Sequence, residues 1–125
     1  MTNYNTNITG DFEIQNQSNL AFEMPPIEFG TAETQIDEFN ATQYLGARFT
    51  VSLTNDLGQI ELNEFIIIHD KTNAFIQNVS TVNNLASDLF VGSFRVVLVN
   101  GFVRILVTAL GTRNIAKCFK IMFKQ

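Results

Sequence analysis

The chain has no tryptophan, one cysteine, one histidine and two prolines, the prolines adjacent as Pro25-Pro26. A lone Cys118 excludes an internal disulfide and any cysteine-based zinc site, and its alternating strand neighbours point to a buried, inert thiol. No apolar run approaches the roughly 18 residues that would signal a membrane span. The start, MTNYNTNITG, has neither a basic n-region nor an apolar h-region, so no secretory signal is expected. The eight basic residues are scattered singly on a chain of net charge −4, which argues against nucleic-acid binding. There is no glycine-rich phosphate loop and no Asp-x-Asp cluster of the calcium-binding kind. No cofactor, metal, nucleic acid or membrane is expected, and the chain reads as made and kept in a cytoplasm or in a particle assembled there.

Charged residues are 16% of the total, below the roughly 25% of an ordinary domain. What replaces them is apolar: 12 phenylalanines among plentiful Ile, Val and Leu. Such a composition folds rather than staying disordered, and it suits a protein that hides much of its outside against neighbours. With 125 residues, one domain is expected, burying roughly two-thirds of its unfolded surface.

Helix signals are nearly absent, and short β-branched and aromatic runs bounded by Asn, Asp and Gly recur. The strongest is FRVVLVNGFVRILV, Phe94 to Val107. Asn100-Gly101 is the preferred two-residue hairpin turn, because both central residues need positive φ. The turn sets Val99 against Phe102 and Leu98 against Val103. One face is then Phe94, Val96, Leu98, Val103, Ile105 and Val107, which should be core. The other carries Arg95, Val97, Val99, Phe102, Arg104 and Leu106, mixed enough for exposure or an interface.

A second hairpin is expected from Gln59 to Val79, with Asp70-Lys71-Thr72-Asn73 as its loop and His69 paired with Ala74. RFTVSL puts Phe49, Val51 and Leu53 on one face, and Asn55 to Gly58 reads as a turn. In the last run, Ile115, Phe119, Ile121 and Phe123 point one way, interrupted by Lys117. Lys120 and Lys124 point the other way with Ala116, Cys118 and Met122. ETQIDEFNATQYLGARF reads as an extended approach into the first strands. Six or more short strands with turns every 8 to 15 residues indicate an all-β antiparallel β-sandwich, Ig-like or jelly-roll-like, over residues 31–125. A closed barrel is the alternative.

Residues 1–30 differ. They are rich in Asn and Gln, lack positive charge and contain Pro25-Pro26. They read as an N-terminal arm that orders against another surface, such as a neighbouring subunit. The arm begins a charge asymmetry: residues 1–47 hold seven acids and no Lys or Arg, while all eight basic residues follow. Two readings stand, a solvated acidic edge or docking on a basic surface of a partner or a second copy. Candidate assembly contacts are Asp11, Phe12, Glu13, Phe22 and Phe29 in the arm, with Arg95 and Arg104 as grips for a carboxylate.

His69-Asp70 is the one pair that invites a catalytic reading. Adjacent strand residues point to opposite faces, which is poor geometry for an aspartate orienting a histidine. Ser52, Ser80, Ser87 and Ser93 sit in no nucleophile-elbow motif. No catalytic residue is assigned and no enzyme is expected. His69 should close its strand and Asp70 should open the turn, capping backbone N–H groups.

The order of ATQYLGARFTVSLTN, NEFIIIHDKTNAFIQNVSTV and DLFVGSFRVVLVNGFVRILVTA resembles a β-rich module repeated in virion structural proteins of tailed bacteriophages, especially cyanophages and other marine phages. That module has a strand ending in His-Asp-Gly and continuing into Thr-Asn or Thr-Ala-Tyr, then a Gly-x-Phe strand and a Gly-Asn-Val-Arg-Leu-Leu-Val-Thr strand. The matching positions are Tyr44, Glu64, His69, Asp70, Asn73, Ala74, Phe75, Gly92, Phe94, Gly101, Val103, Arg104, Leu106 and Thr108. Lys71 stands where the module has Gly, and Phe75 where it has Tyr. The resemblance spans roughly residues 35–123. It implies a non-enzymatic building block of the virion, found in fibres, tail parts and other surface structures; the expected mechanism is assembly, with copies of itself and a larger phage capsid or tail protein as partners. The short chain, without coiled coil or repeats, points to a head decoration or cement protein. The alternatives are a tail, neck or fibre component, or a receptor- or glycan-binding module.

Overall fold

A computed structural model describes residues 5–6, 11–13, 19–86 and 89–125, with side chains described from residue 20 onward. Turn residues punctuate the chain into β1 (Asn5–Thr6), β2 (Asp11–Glu13), β3 (Asn19–Glu23), β4 (Ile27–Phe29), β5 (Thr34–Asn40), β6 (Tyr44–Asn55), β7 (Ile60–His69), β8 (Ala74–Asn83), β9 (Gly92–Val99), β10 (Phe102–Ala109) and β11 (Asn114–Lys124). The larger sheet runs β1-β2-β3-β11-β6-β7-β8, with β4 also on β11, and the smaller runs β5-β10-β9. Every pairing is antiparallel. Two open sheets face each other, so the fold is a sandwich and not a closed barrel.

The turn chemistry acts as expected. Asn100 and Gly101 have φ of 52° and 81°, and Val99 pairs with Phe102. His69 pairs with Ala74, and Gly58 has φ of 74°. Inner faces are apolar by alternation. Phe49, Val51 and Leu53 of β6, Phe65 and Ile67 of β7, and Val103, Ile105 and Val107 of β10 are almost wholly buried. The Phe49 and Phe65 rings stack at 5.4 Å, and Phe94 of the smaller sheet tilts onto Phe65 at 5.0 Å.

Three segments depart from the sequence reading. The extended approach is two strands in different sheets: β5 pairs with β10, and β6 starts beyond a turn closed by the Asn40 side chain. β8 continues past Val79 to Asn83. The second half of the expected arm belongs to the sandwich. β3 and β4 lie along the same edge of β11, where three residues, Met24 to Pro26, stand opposite two, Lys117 and Cys118. Met24 N–H still donates to Cys118 O at 2.9 Å. Neither proline has an N–H, so the ladder breaks there and resumes at Ile27.

Buried polar groups pin the connections. Glu61 is 2% exposed, yet its carboxylate accepts from Val91 N (2.6 Å), Gly92 N (3.2 Å), Asn63 Nδ2 and Asn83 Nδ2 (both 2.9 Å). Four donors satisfy the buried anion and clamp the crossover from β8 to β9. Asn114, wholly buried, similarly ties Gly111 to the backbone after β4.

The orientation of β11 is the least expected feature. Its more apolar side, with Ile115, Phe119, Ile121 and Phe123, faces outward, and the side carrying Lys120 faces the core. Lys120 Nζ lies 2.7 Å from Asp37 Oδ2 on β5, both side chains about nine-tenths buried. The ammonium also sits 5.5 Å from the Phe22 ring centre and 6.0 Å from that of Phe49. Asp37 Oδ2 has no other hydrogen-bond partner, so each charge depends on the other. Asp37→Ala, which strands the ammonium, should destabilise by about 3–5 kcal/mol in urea unfolding. Asp37→Leu with Lys120→Met should recover most of that loss. A single replacement costing no more than a surface substitution would contradict this account.

Candidate functional site

The His-Asp corner is structural. His69 is 5% exposed, with Nε2 at 2.6 Å from Tyr44 O. A carbonyl oxygen only accepts, so Nε2 carries the hydrogen, and Nδ1 accepts from Lys71 N–H at 3.0 Å. Both ring nitrogens are thereby occupied by backbone. Asp70 points into the exposed turn, where Oδ1 accepts from Asn73 N–H (2.7 Å) and Thr72 N–H (2.9 Å). These two bonds, Asn73 first, hold its carboxyl below the usual carboxylate range. Lys71 has φ of 72°, the left-handed conformation that explains the glycine at this position in the resembling module.

Cys118 is buried, and burial pushes its thiol up to about 12. Among the described residues, no group of three or more His, Cys, Asp or Glu is placed to hold a metal ion.

The candidate assembly contacts are largely engaged within the chain. Arg95 grips Glu33 with both ends of its fork, at 2.6 and 2.7 Å, holding the Glu33 carboxyl below its usual range. Arg104 makes a looser ion pair with Glu38 at 3.5 Å. Arg113 meets Glu28 at 3.1 Å. With Lys120–Asp37, four acids from the N-terminal third are paired with four cations from the rest of the chain. The acidic segment therefore docks on the basic part of its own chain. Phe29 is buried in the core and Phe22 packs beneath Lys120. The side chains of Asp11, Phe12 and Glu13 lie outside the described residues; their backbone forms β2.

What the molecule presents is an apolar outer face. On β7, Ile60, Leu62, Ile66 and Ile68 are each 41–54% exposed. Beside them on β8 stand Phe75, Val79 and Val82. A groove of about 330 Å³ runs among Ile66, Ile68, Phe75 and Val79. The central strand β6 interrupts this surface with a polar row, Arg48, Thr50, Ser52 and Thr54, and Arg48 pairs with Glu64 at 3.0 Å. Beyond it lies the outward side of β11, with a shallow groove of about 710 Å³ near Pro25-Pro26, bordered by Thr50, Ser52, Lys117 and Phe119. The exposed apolar surface on β7 and β8 is the candidate interaction site. Sequence reasoning named none of these β7 and β8 residues as a contact. The available signal was FIII, Phe65 to Ile68, an unbroken apolar run that makes both faces of a strand apolar.

Lys71→Gly should raise stability by about 1 kcal/mol, because glycine adopts the left-handed conformation without the Cβ clash; urea unfolding measures it, and a loss would contradict the turn assignment. Asp70, Asp56 and Glu33 all have lowered carboxyl values in the fold. Each therefore contributes stability that is fully present above its unfolded value, roughly pH 4, and lost as pH falls through the lower folded value. Thermal unfolding followed below roughly pH 4 should show a shallower decline for Asp70→Asn than for the native chain. Superimposable profiles would remove Asp70 from the acid response.

No protein-family model matches the chain, and no curated protein matches it. Solved structures do. The tailspike protein of Acinetobacter baumannii phage AM24 aligns with TM-score 0.54 and 5% identity over 86% of this chain and 26% of its own. The tailspike protein of Acinetobacter phage vB_ApiP_P1 gives 0.50 and 12% over 100% of this chain and 25% of its own. The tailspike gp49 of Acinetobacter baumannii bacteriophage Fri1, a capsular polysaccharide depolymerase, gives 0.52 and 7% over 93% of this chain and 18% of its own. The chain thus spans about a quarter or less of these neighbours, and it shares the fold of a β-rich region within phage tailspikes.

Proposed function

We propose that this chain is a phage virion protein of the tail, a β-sandwich unit of a spike or fibre that works by assembly and not by catalysis. The observation that carries this reading is the shared fold: three tailspikes contain a region of this architecture that accounts for nearly all of the chain. The apolar outer face of β7 and β8 supports it, since an assembly unit needs surface to bury. Its partners are copies of itself and a larger tail protein, and its place is the virion, assembled in the host cytoplasm.

The head-decoration reading rested on chain length and the absence of repeats. It gives way to the tail reading, because the structural neighbours are spikes. The depolymerase described for Fri1 belongs to a protein of which this chain covers 18%, and the proposed role needs no active site. The marine-phage origin rests on the sequence resemblance alone.

Immunogold electron microscopy of virions carrying the protein, with copy number from quantitative mass spectrometry, tests the proposal. Label at the tail and a few dozen copies or fewer are expected. Label over the head with hundreds of copies would sink it.

A further inference from the structure

Asp37 is aimed into the sandwich by a break in its own strand. On β10, Ile105 pairs with Asp37 and Leu106 with Gln35, so Ile36 is an extra residue in β5. The bulge turns two residues adjacent in sequence toward the interior: Ile36 is 3% exposed and the Asp37 side chain 8%. Lys120 meets Asp37 from the opposite sheet, with Nζ 2.7 Å from Oδ2. Phe22 and Phe49, directly opposite Lys120 on the two strands flanking β11, put their rings 5.5 and 6.0 Å from the nitrogen. Cys118, near enough to feel both charges, stays a neutral thiol, since burial and then Asp37 push it up to about 12.

The two carboxylate oxygens of Asp37 are held differently. Oδ1 accepts from Glu38 N–H at 2.8 Å. Oδ2 is buried and accepts no well-directed hydrogen bond, although Lys120 Nζ is in contact with it. Cγ lies one C–O bond, about 1.2 Å, beyond Oδ2. A nucleophile, an electrophilic carbon, a donor on the oxygen that stays and a leaving oxygen free of other donors are therefore assembled in one place. Such fixed geometry gives effective concentrations of about 10⁵–10⁸ M.

We infer that Lys120 and Asp37 condense into an intramolecular isopeptide bond that ties β11 of the larger sheet to β5 of the smaller one. One ammonium proton passes to Oδ2 across the contact, which turns two buried ions into an amine and a carboxylic acid; burial penalises the ions far more than this neutral pair. The Nζ lone pair then attacks Cγ, and the charge that gathers on Oδ1 meets the Glu38 N–H. The Nζ–Cγ bond forms, the Cγ–Oδ2 bond breaks, and Oδ2 leaves as water with two of the three ammonium hydrogens. The third stays on the amide, and nothing is oxidised or reduced. The stability differences of the Asp37 variants belong to the ion-paired chain, before condensation. The link does not depend on the tail reading, and it closes the sandwich covalently where, among the described residues, no strand pairing joins the two sheets.

Intact-mass spectrometry of the folded full chain, after incubation at neutral pH, should find it one water lighter than its sequence. Trypsin should then release residues 118–124, uncut at Lys120, joined to residues 1–48. Lys120→Arg keeps a cation but offers no amine to acylate, so this variant should keep its full mass. Circular dichroism checks that it folds, and the linked tryptic peptide of the native chain carries the test if it does not. A folded native chain that retains its full sequence mass, or a water loss that persists in Lys120→Arg, would overturn the inference.

Discussion

The sandwich hangs on one buried ion pair. Lys120 reaches from β11 of the larger sheet to Asp37 on β5 of the smaller one, both side chains about nine-tenths buried, and Asp37 Oδ2 has no other hydrogen-bond partner. The Phe22 and Phe49 rings line the ammonium's stem and face. This contact fixes which side of β11 turns inward. Once Lys120 is inside, Ile115, Phe119, Ile121 and Phe123 must be outside, because side chains on a strand alternate. The exposed apolar surface follows from placing a charge in the core.

The same economy governs the surface charges. The acidic first third and the basic remainder are complementary within one molecule. Glu28, Glu33, Asp37 and Glu38 meet Arg113, Arg95, Lys120 and Arg104. The exposed pairs contribute little individually to stability, but they orient β4, β5 and the linking segment over the rest of the sandwich. With those charges paired internally, the outer face of β7 and β8 stands out as exposed apolar surface.

The His-Asp corner shows how a chemical-looking motif is a folding device. Its imidazole is locked between two backbone groups, and its carboxylate caps the turn. Lys71 adopts the left-handed conformation that Gly would take freely. Both side chains of the motif are used by the turn, so its role in this chain is structural.

Local physics was legible in the sequence. The Asn100-Gly101 turn, the register of β9 with β10, the pairing of His69 with Ala74, and the buried rows of β6 and β10 all follow from φ preferences and period-two alternation. Residues whose fate depends on distant partners were not legible. Alternation shows that Lys120 and Phe119 lie on opposite sides of β11, but only Asp37 across the sandwich decides which side is in. Arg95 and Arg104 were visible as grips, and tertiary proximity alone supplied Glu33 and Glu38 as what they hold. Residues 19–29 fell within the arm because residues 1–30 are rich in Asn and Gln, lack positive charge and contain Pro25-Pro26, and the open edge of β11 made strands of them. Sequence determined the strands and turns, which are local in energy. The tertiary structure decided the faces, the ion pairs and the exposed surface, because those depend on contacts between residues far apart in the chain.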